Sequence, residues 1–331
     1  VATGTIASAR LDTGTTANKL VLLDGSGNLP AVDASLLTGI VSATISASDP
    51  TISTNPSGGV GTEWNNSTSG EMYICTDATA GANKWTNVGA GSDNIEPYNF
   101  PGGGTAYGFT TGGSPYQSIE RYSFVSDGNA ADTTYDLTNL RSEVGGCTSS
   151  THGYIMGGGG TNIIDKFNMT TVANATDVGN LTVSRGRMSG TMSETYGFPN
   201  GGGEPTAINV IERFPFASDS DATDWADLSV IKANNSSHTS STYGYTSGGT
   251  PGSPNSGINV IDKFPFATQT NATDVGNLTE NSAYSPGGQQ SETYGYMSGG
   301  RVGTPNVSRD VIEKFSFTTD GDASDVGNLT W

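Results

Sequence analysis

The sequence predicts an all-β protein whose C-terminal part repeats one unit five times. Three phrases recur: an aromatic-Gly-aromatic run ending on a Gly pair, an apolar-acid-base-aromatic run, and a run such as Asn-Ala-Thr-Asp-Val-Gly-Asn-Leu-Thr. Each internal glycine would weaken a helix by about 1 kcal/mol, whereas alternating aromatic and Thr residues favour strands. The unit is therefore predicted to be a set of short strands.

The first phrase predicts a strand, and its Gly pair predicts a tight turn with positive φ. In the second copy, His152 replaces the leading tyrosine, and we expect it to be a packed aromatic substitute and not a ligand. His238 lies in polar sequence and is predicted to be exposed. The other copies begin at Tyr107, Tyr196, Tyr243 and Tyr294.

The second phrase predicts another strand, and its spacing indicates the architecture. Successive copies are 45, 47, 50 and 51 residues apart, starting from Ile119, Ile164, Ile211, Ile261 and Ile312. A period in this range is typical of propeller blades, which have four short strands each. The third phrase predicts a short outer strand. We therefore expect a β-propeller with five blades over residues 92–331.

In the second phrase a base always follows an acid. This predicts a structural ladder of cross-strand or blade-to-blade ion pairs, each contributing roughly 0.2 to 1 kcal/mol. The alternative is a functional ring of cations. The bases are Arg121, Lys166, Arg213, Lys263 and Lys314.

The first 91 residues differ from the repeats and divide into two predicted segments. Residues 1–48 alternate short apolar runs with Gly turns, and such a strip cannot bury a core unless copies of it associate. We expect a trimeric stalk there. Residues 49–91 predict a small three-stranded β module. Trp64, Tyr73 and Trp85 would form its core or, alternatively, a platform for stacking sugars.

Charge and composition exclude several classes of function. With 32 acidic against 14 basic residues, the chain has a net charge of −18 and should repel nucleic acid and anionic membranes. No apolar run is long enough to cross a bilayer. Cys75 and Cys147 are too few for a disulfide scaffold and are expected to be buried thiols. Few aliphatic residues would suggest disorder, but 13 Tyr, 11 Phe and 4 Trp, mostly in register with the repeat, oppose it.

Two acidic corners are the candidate metal sites. Asp219-Ser220-Asp221 and Asp320-Gly321-Asp322 lack EF-hand spacing and lie in predicted turns, where Asp is favoured for backbone reasons. We therefore predict no metal and no cofactor.

The last 240 residues resemble the kelch-repeat family, through the Gly pair and the acid-base-aromatic strand. The family's third-strand aromatic is matched at Tyr122, Phe167, Phe214, Phe264 and Phe315. Its later Trp is matched only by Trp225, so the outer strand is divergent. The resemblance implies a kelch-like propeller. Kelch copper oxidases need imidazole ligands and a Tyr-Cys cofactor, and propeller sialidases need an arginine cluster. Two histidines and acid-paired bases do not supply these, so no catalytic residue is predicted.

The N-terminal ninety residues resemble the distal parts of bacteriophage tail fibres, especially those of marine phages. The resemblance lies in Leu-Asp-Thr-Gly-Thr-Thr-Ala-Asn-Lys through Ser-Leu-Leu-Thr-Gly (11–39) and in Ser-Gly-Glu-Met-Tyr-Ile-Cys-Thr-Asp-Ala-Thr (69–79). It implies a homotrimeric virion protein that attaches to other virion or tail proteins through its N-terminal segment.

The loops that follow the Gly pairs are the candidate binding site, because insertions in repeat proteins gather on one face. The longest are 250–260 and 301–311, rich in Pro, Asn and Ser. The candidate ligand-binding residues are Thr250, Pro251, Ser253, Asn255, Ser256, Arg301, Thr304, Asn306 and Arg309. The predicted function is non-catalytic recognition of a host-surface glycan or protein by a virion fibre. The alternatives are a glycan-processing propeller enzyme, or a structural decoration or spacer on a virion or surface filament.

Overall fold

The computed structural model describes residues 43–89, 94–95, 107–113, 116–171, 173–203, 205–252, 257–284, 286–302 and 307–330. The chain divides into two compact units, Val1–Pro97 and Tyr98–Trp331. The described residues contain strands and no helix, so the predicted all-β class is confirmed. In these ranges no helix is long and apolar enough to span a membrane. Most of the predicted stalk, residues 1–42, lies outside the described residues.

The first unit contains a four-stranded sheet in the order β1-β2-β3-β4. Its strands are β1 (Thr44–Ser46), β2 (Glu63–Asn66), β3 (Met72–Asp77) and β4 (Lys84–Asn87). β1 lies upstream of residue 49, where the module was predicted to start, and pairs parallel with β2. Tyr73, Cys75 and Trp85 are buried, and Trp64 packs edge-on against Trp85 at 5.8 Å. The aromatic residues therefore form a core and not an open stacking platform.

In the second unit, the repeats form successive antiparallel sheets, numbered here in chain order. Sheet 1 has β5 (Tyr107–Thr111), β6 (Ser118–Ser123) and β7 (Ala131–Asp136). Sheet 2 has β8 (Gly145–Thr148), β9 (His152–Met156), β10 (Ile163–Asn168) and β11 (Thr176–Asn180). Sheet 3 has β12 (Ser189–Met192), β13 (Tyr196–Asn200), β14 (Val210–Pro215) and β15 (Thr223–Asp227). The three predicted phrases correspond to the last three strands of a sheet.

Sheets 4 and 5 repeat this arrangement. Sheet 4 has β16 (Ser236–Thr239), β17 (Tyr243–Ser247), β18 (Ile258–Pro265) and β19 (Thr273–Ser282). Sheet 5 has β20 (Gly287–Gln290) and β21 (Tyr294–Ser298), followed by a short hairpin of β22 (Arg301–Val302) and β23 (Val307–Ser308). It ends with β24 (Val311–Ser316) and β25 (Ser324–Asn328).

The innermost strands β8, β12, β16 and β20 carry no apolar pattern, and none of the three phrases predicts them. β8 contacts β12, β12 contacts β16 and β16 contacts β20, so these strands lie side by side in chain order. Small residues allow this close approach. A Cβ on Gly190 would lie 2.3 Å from the carbonyl oxygen of Gly146, and one on Gly288 would lie 2.6 Å from that of Ser237.

The hydrophobic core lies between the sheets. Tyr154 of sheet 2 packs on Phe214 and Phe216 of sheet 3, with its ring stacked 4.8 Å from that of Phe216. Tyr245 of sheet 4 stacks on Phe317 of sheet 5 at 4.7 Å. Sheets 1 and 2, and sheets 3 and 4, are joined in the same way by Phe109 on Phe167 and by Phe198 on Phe264 and Phe266. Each sheet therefore depends on its neighbours for burial.

The Gly pairs behave as predicted. Gly157 and Gly158, which end β9, have φ of 56° and 86°, and both residues of the pairs after β5, β13, β17 and β21 also have positive φ. The second glycine then bonds to the chain segment that enters the next sheet, as in Gly158 N donating to Arg185 O at 2.8 Å.

Candidate binding pocket

A residue with left-handed backbone recurs at one position of each segment that links two sheets. Glu143, Arg187, Asn234 and Tyr284 have φ of 62°, 57°, 55° and 42°. Each lies six residues after a leucine that recurs in or directly after the outer strand, at Leu137, Leu181, Leu228 and Leu278. In the first repeat the third phrase was predicted to end at Asn139-Leu140, three residues later. We call these four the linker residues. Positive φ is uncommon outside glycine and concentrates at functional sites.

Hydrogen bonds hold three of the linker residues side by side. Arg187 N donates to Glu143 O, and Asn234 N donates to Arg187 O, both at 2.7 Å. The guanidinium of Arg187 also pairs with the Glu143 carboxylate, with Nε and Oε2 2.9 Å apart. The linker residues therefore meet at the entrance to the innermost strands.

The four linker residues surround one cavity of about 510 Å³. The other lining residues are Val144, Met188, Asn235 and Pro286. A smaller cavity of about 210 Å³ shares Arg187, Asn234 and Tyr284. It is bordered by Gly203, Pro205, Ala207, Ala233, Thr250 and Gly252. The loops that follow the Gly pairs of sheets 3 and 4 therefore border the site; we call the two cavities together the linker pocket.

The linker pocket combines charge, amide and aromatic groups. Arg187 and Glu143 are partly exposed, and an ion pair in that setting contributes only about 0.2 to 1 kcal/mol, so either group can exchange its partner for a ligand. Asn235 is buried and donates to Ser189 Oγ at 2.6 Å, while its Oδ1 accepts no hydrogen bond from the described residues. Tyr284 adds an aromatic ring with a polar hydroxyl.

A third cavity, also of about 510 Å³, lies between sheets 1 and 2. Phe109, Tyr154, Phe167 and Met169 dominate its lining, and three of these belong to the core that joins the two sheets. It has few convergent polar groups, so we assign it to packing.

The predicted ligand-binding residues are only partly near the linker pocket. Thr250 borders it but is buried, and its hydroxyl donates to Ala233 O and accepts from Asn234 Nδ2, each at 3.3 Å. Pro251 is half-buried beside it, and Arg301 is exposed on β22. Ser253, Asn255, Ser256, Thr304 and Asn306 lie outside the described residues.

Arg309, another predicted ligand-binding residue, is buried in an ion-pair cluster. Its Nε lies 3.3 Å from Glu280 and its Nη2 lies 3.3 Å from Glu313. The guanidinium is directed at these carboxylates, so its place is structural.

Four of the five repeated acids are buried and pair with cations that sequence reasoning had not matched to them, whereas Glu120 is only partly buried. Arg141 contacts Asp165 at 2.8 Å, and Arg185 contacts Glu212 at 2.9 Å. In the next sheet Lys232 and Asp262 are 2.8 Å apart. Burial lowers the pKa of Lys232, and the neighbouring Asp262 opposes that shift. Each of these three cations comes from the linker that leaves the preceding sheet.

The repeated bases do not pair with the repeated acids, and among the described residues only two of the five form ion pairs, so the predicted ladder of bases is present only in part. Lys166 binds Asp219 of the next sheet, and Lys263 binds Asp320 of the next sheet at 2.8 Å. Arg213 instead stacks over the ring of Trp225 at 3.8 Å. The acidic corners therefore serve as partners for lysine, and no group of three or more His, Cys, Asp or Glu in the described ranges is placed to hold a metal.

The two histidines have different surroundings. The prediction that His238 is exposed was wrong, because it is buried on β16 between its own sheet and the adjacent one. Its Nδ1 lies 3.1 Å from Gln289 O, and its Nε2 lies 2.9 Å from Ser247 Oγ. His152 is half-buried and contacts Thr151 Oγ1 at 2.8 Å; burial lowers its pKa. The two cysteines are buried and free, as predicted.

Sequence reasoning missed the linker residues, although a signal for them exists. They stand at a constant distance after a repeated leucine, yet their residue types are Glu, Arg, Asn and Tyr. A position that is regular in spacing and irregular in chemistry is the expected sign of a binding residue in a repeat.

Antiparallel sheets joined through their innermost strands define a β-propeller-like fold. The solved structure of YjhT is similar to this chain, with a TM-score of 0.52 and 10% sequence identity. The match covers 59% of this chain and 67% of that one. At this identity the similarity concerns the fold alone. No protein-family model matches the sequence, and no curated protein matches it.

Proposed function

We propose that this chain is a non-catalytic receptor-binding protein of a bacteriophage tail fibre, in which a five-bladed kelch-like propeller recognises a host-surface glycan or protein. The observation that carries the proposal is the linker pocket. Its four linker residues occupy one repeated position but differ in chemistry, while the packing positions around them repeat. In repeat proteins, selection for packing keeps residues alike, so divergence at one convergent position favours binding.

The groups of the linker pocket suit a carbohydrate. Arg187, Glu143 and Asn234 offer donors and acceptors for hydroxyl groups, and Tyr284 and Met188 offer apolar surface to a sugar ring. Among the described lining residues, Glu143 is the carboxylate, and it is paired with Arg187. Glycoside hydrolases generally use two carboxylates, so this composition favours binding over cleavage.

The N-terminal part would mount the propeller on the particle. Residues 1–48 are proposed to form a trimeric stalk that joins other virion or tail proteins, with the small β module above it. The support is the resemblance of the first ninety residues to phage tail fibres. Three propellers on one stalk would bind multivalently, so weak individual contacts would give useful avidity.

Binding of the purified 331-residue chain to host cells and to a glycan array tests the proposal. Tyr284→Asn and Arg187→Asn should each weaken binding about tenfold, since Asn tolerates the left-handed backbone while losing the contact group. The matched control is Tyr135→Ala, an exposed tyrosine on the outer strand β7, outside the linkers and the loops after the Gly pairs, which should bind as the parent does.

Other outcomes separate the alternatives. Release of sugar fragments from host envelope would replace the proposal with a glycan-processing enzyme. Absence of binding to cells and glycans, with particle assembly dependent on the chain, would indicate a structural spacer. Undiminished binding by both pocket variants would move the site away from the linker pocket.

A further inference from the structure

The junctions between successive sheets repeat the same contacts. A junction here is the contact between one sheet and the next. In each described junction, the N–H of the alanine that directly precedes the outer strand donates to a carbonyl oxygen of the previous sheet's outer strand. Examples are Ala222 N to Asn180 O and Ala323 N to Asn277 O, both at 2.8 Å. A threonine after the repeated leucine also bonds the next sheet's acid, as Thr279 does with Glu313. These contacts define what a complete junction contains.

The basic residue of the second phrase, Lys or Arg, correlates with the residue that the next sheet places opposite it. The residue five positions after the third-strand aromatic, here called the corner residue, is Asp219 in sheet 3 and Asp320 in sheet 5. The preceding sheets carry Lys166 and Lys263, which bind those two aspartates.

The other two corner residues in the series are Val172 and Gln269. The preceding sheets there carry Arg121 and Arg213, whose guanidinium groups stack over Tyr107 at 4.3 Å and over Trp225 at 3.8 Å. Lysine therefore occurs where the following sheet offers an acid, and arginine where it does not.

Sheet 5 carries Lys314, so by this pattern its following neighbour should present an aspartate. Within the described residues Lys314 lies over Tyr294 at 4.5 Å and makes no ion pair with a carboxylate. Sheet 1 has Asp127 at the corner position, exposed and likewise without an ion pair among the described residues.

The apolar surfaces match in the same way. Tyr122 and Phe124 of sheet 1 are 38% and 59% exposed, whereas the equivalent Phe315 and Phe317 of sheet 5 are 3% and 9% exposed. Sheet 5 offers Tyr296, the equivalent of Tyr245, which covers Phe317.

The end of sheet 5 shows the same incompleteness. Leu329 is 37% exposed, while its equivalent Leu278 is 2% exposed. Thr330 follows it where Thr279 follows Leu278, and sheet 1 offers Glu120 where sheet 5 has Glu313. The exposed face of sheet 5 and the exposed face of sheet 1 therefore each carry one side of the contacts that make up a junction.

We propose that sheet 5 packs against sheet 1 of the same chain and closes the ring. Lys314 would pair with Asp127, Tyr296 would cover Tyr122 and Phe124, and Thr330 would bond Glu120. Sheet 1 of the same chain is favoured over a second copy because the two faces are tethered, which gives a high effective concentration. The inference is independent of the proposed receptor role.

A disulfide between the two faces tests this in the full chain. Asn129 and Asn328 are equivalent to Asp221 and Asn180, and the latter pair is in contact, with Asn180 Nδ2 3.2 Å from Asp221 Oδ1. The variant N129C/N328C should form an intrachain disulfide as readily as the reference N180C/D221C. The mismatched N129C/N277C should keep its thiols, and the native cysteines are buried. A disulfide-linked dimer would assign the face to a second copy, and free thiols in folded protein would overturn closure.

A charge exchange gives a second measurement if a disulfide is geometrically poor. Lys314→Asp should lower Tm by about 2–4 °C, because it opposes two carboxylates, and adding Asp127→Lys should restore most of the loss. Lys263→Asp with Asp320→Lys provides the matched exchange at a contact that the structure contains. Strictly additive Tm changes at positions 314 and 127 would contradict the proposed contact.

Discussion

At the scale of single residues, the first and second repeated phrases are linked by packing, because the aromatic ring of the second phrase lies over the glycine of the first. Gly153, Gly197, Gly244 and Gly295 lie directly beneath the third-strand aromatic of the same sheet. A Cβ there would come within 2.3 to 2.4 Å of the ring Cζ of Phe167, Phe214, Phe264 or Phe315. The glycine is thus required by the ring, and not by its own backbone, which lies in a regular strand.

Gly244→Ala should therefore destabilise the protein by about 1–3 kcal/mol, the usual cost of overpacking a close-packed core. Chemical denaturation of both proteins measures the difference in unfolding free energy. Gly128→Ala is the control, since a Cβ there meets nothing within 4 Å. Equal stability of the two variants would show that the ring moves aside at little cost.

His238 makes stability depend on pH in a defined window. Burial lowers the pKa of His238 to about 4. The ring is enclosed by Gln289 O, Ser247 Oγ and the ring of Phe315. The neutral ring is therefore the folded form, and protonation favours the unfolded chain.

Because the folded pKa lies below the unfolded value, the contribution of His238 is complete above about pH 6.5 and declines as pH falls toward 4. The decline amounts to roughly 3 kcal/mol. His238→Gln should flatten that part of the curve of unfolding free energy against pH, whereas His152→Gln should leave most of it. A parallel decline in the parent and His238→Gln would rule out His238 as its source.

At the scale of elements, buried ion pairs fasten each sheet to the linker of the previous one. The acid on the third strand lies opposite a cation 24 to 30 positions earlier, as with Arg141 and Asp165, or Lys232 and Asp262. In sheet 5 the corresponding linker position is Ser282, and Arg309 supplies the cation from the sheet's own inserted loop. The charge is retained although its origin in the chain has changed.

Asp262→Ala should cost about 3–5 kcal/mol, because it leaves Lys232 buried without its counter-ion. Replacing both partners, as Asp262→Leu with Lys232→Met, should cost clearly less. Denaturant unfolding of the single and double variants measures both. The partly exposed pair gives the contrast, since Lys263→Met should change stability by at most about 1 kcal/mol. A double variant as unstable as the single one would mean that packing, and not the unpaired charge, dominates.

At the scale of the whole molecule, the packing positions repeat and the linker positions diverge. The aromatic stacks, buried ion pairs and Gly turns recur from sheet to sheet, while the linker residues differ at each junction. The repeated contacts therefore fix the propeller-like stack, and they leave the linker positions unconstrained by packing, as the proposed binding role requires.

The proposed stalk predicts a trimer for the full chain in sedimentation equilibrium. Leu22→Asp, within the apolar run Leu20-Val21-Leu22-Leu23, should favour dissociation, since a charge would be buried between copies. Leu140→Asp, at an exposed leucine of the second unit, should leave the assembly unchanged. A parent chain that sediments as a stable monomer would remove the stalk from the proposal.

How well the sequence predicted a structural feature depended on how far apart in the chain the interacting residues lie. The strands of the three phrases, the Gly turns and the aromatic core of the small sheet are readable because a strand or turn is specified by neighbouring residues. The innermost strand is not readable, because residues such as Ser236 and Thr239 show no apolar alternation and use their hydroxyl groups to bond residues of neighbouring repeats. The burial of His238 was missed for the same reason, since Gln289 and Phe315 lie 51 and 77 positions away.

The sequence by itself determined the repeat, its β character and the register of aromatic, glycine and acid, because local sterics and alternation depend on adjacent residues. The tertiary structure decided which cation neutralises each acid and which side chains meet in the linker pocket. Those choices join residues that are 24 to 30 positions apart in the ion pairs and about a full repeat apart in the linker pocket, as with Glu143 and Arg187. Spacing alone offers several partners there, and only the stacking of sheets selects one.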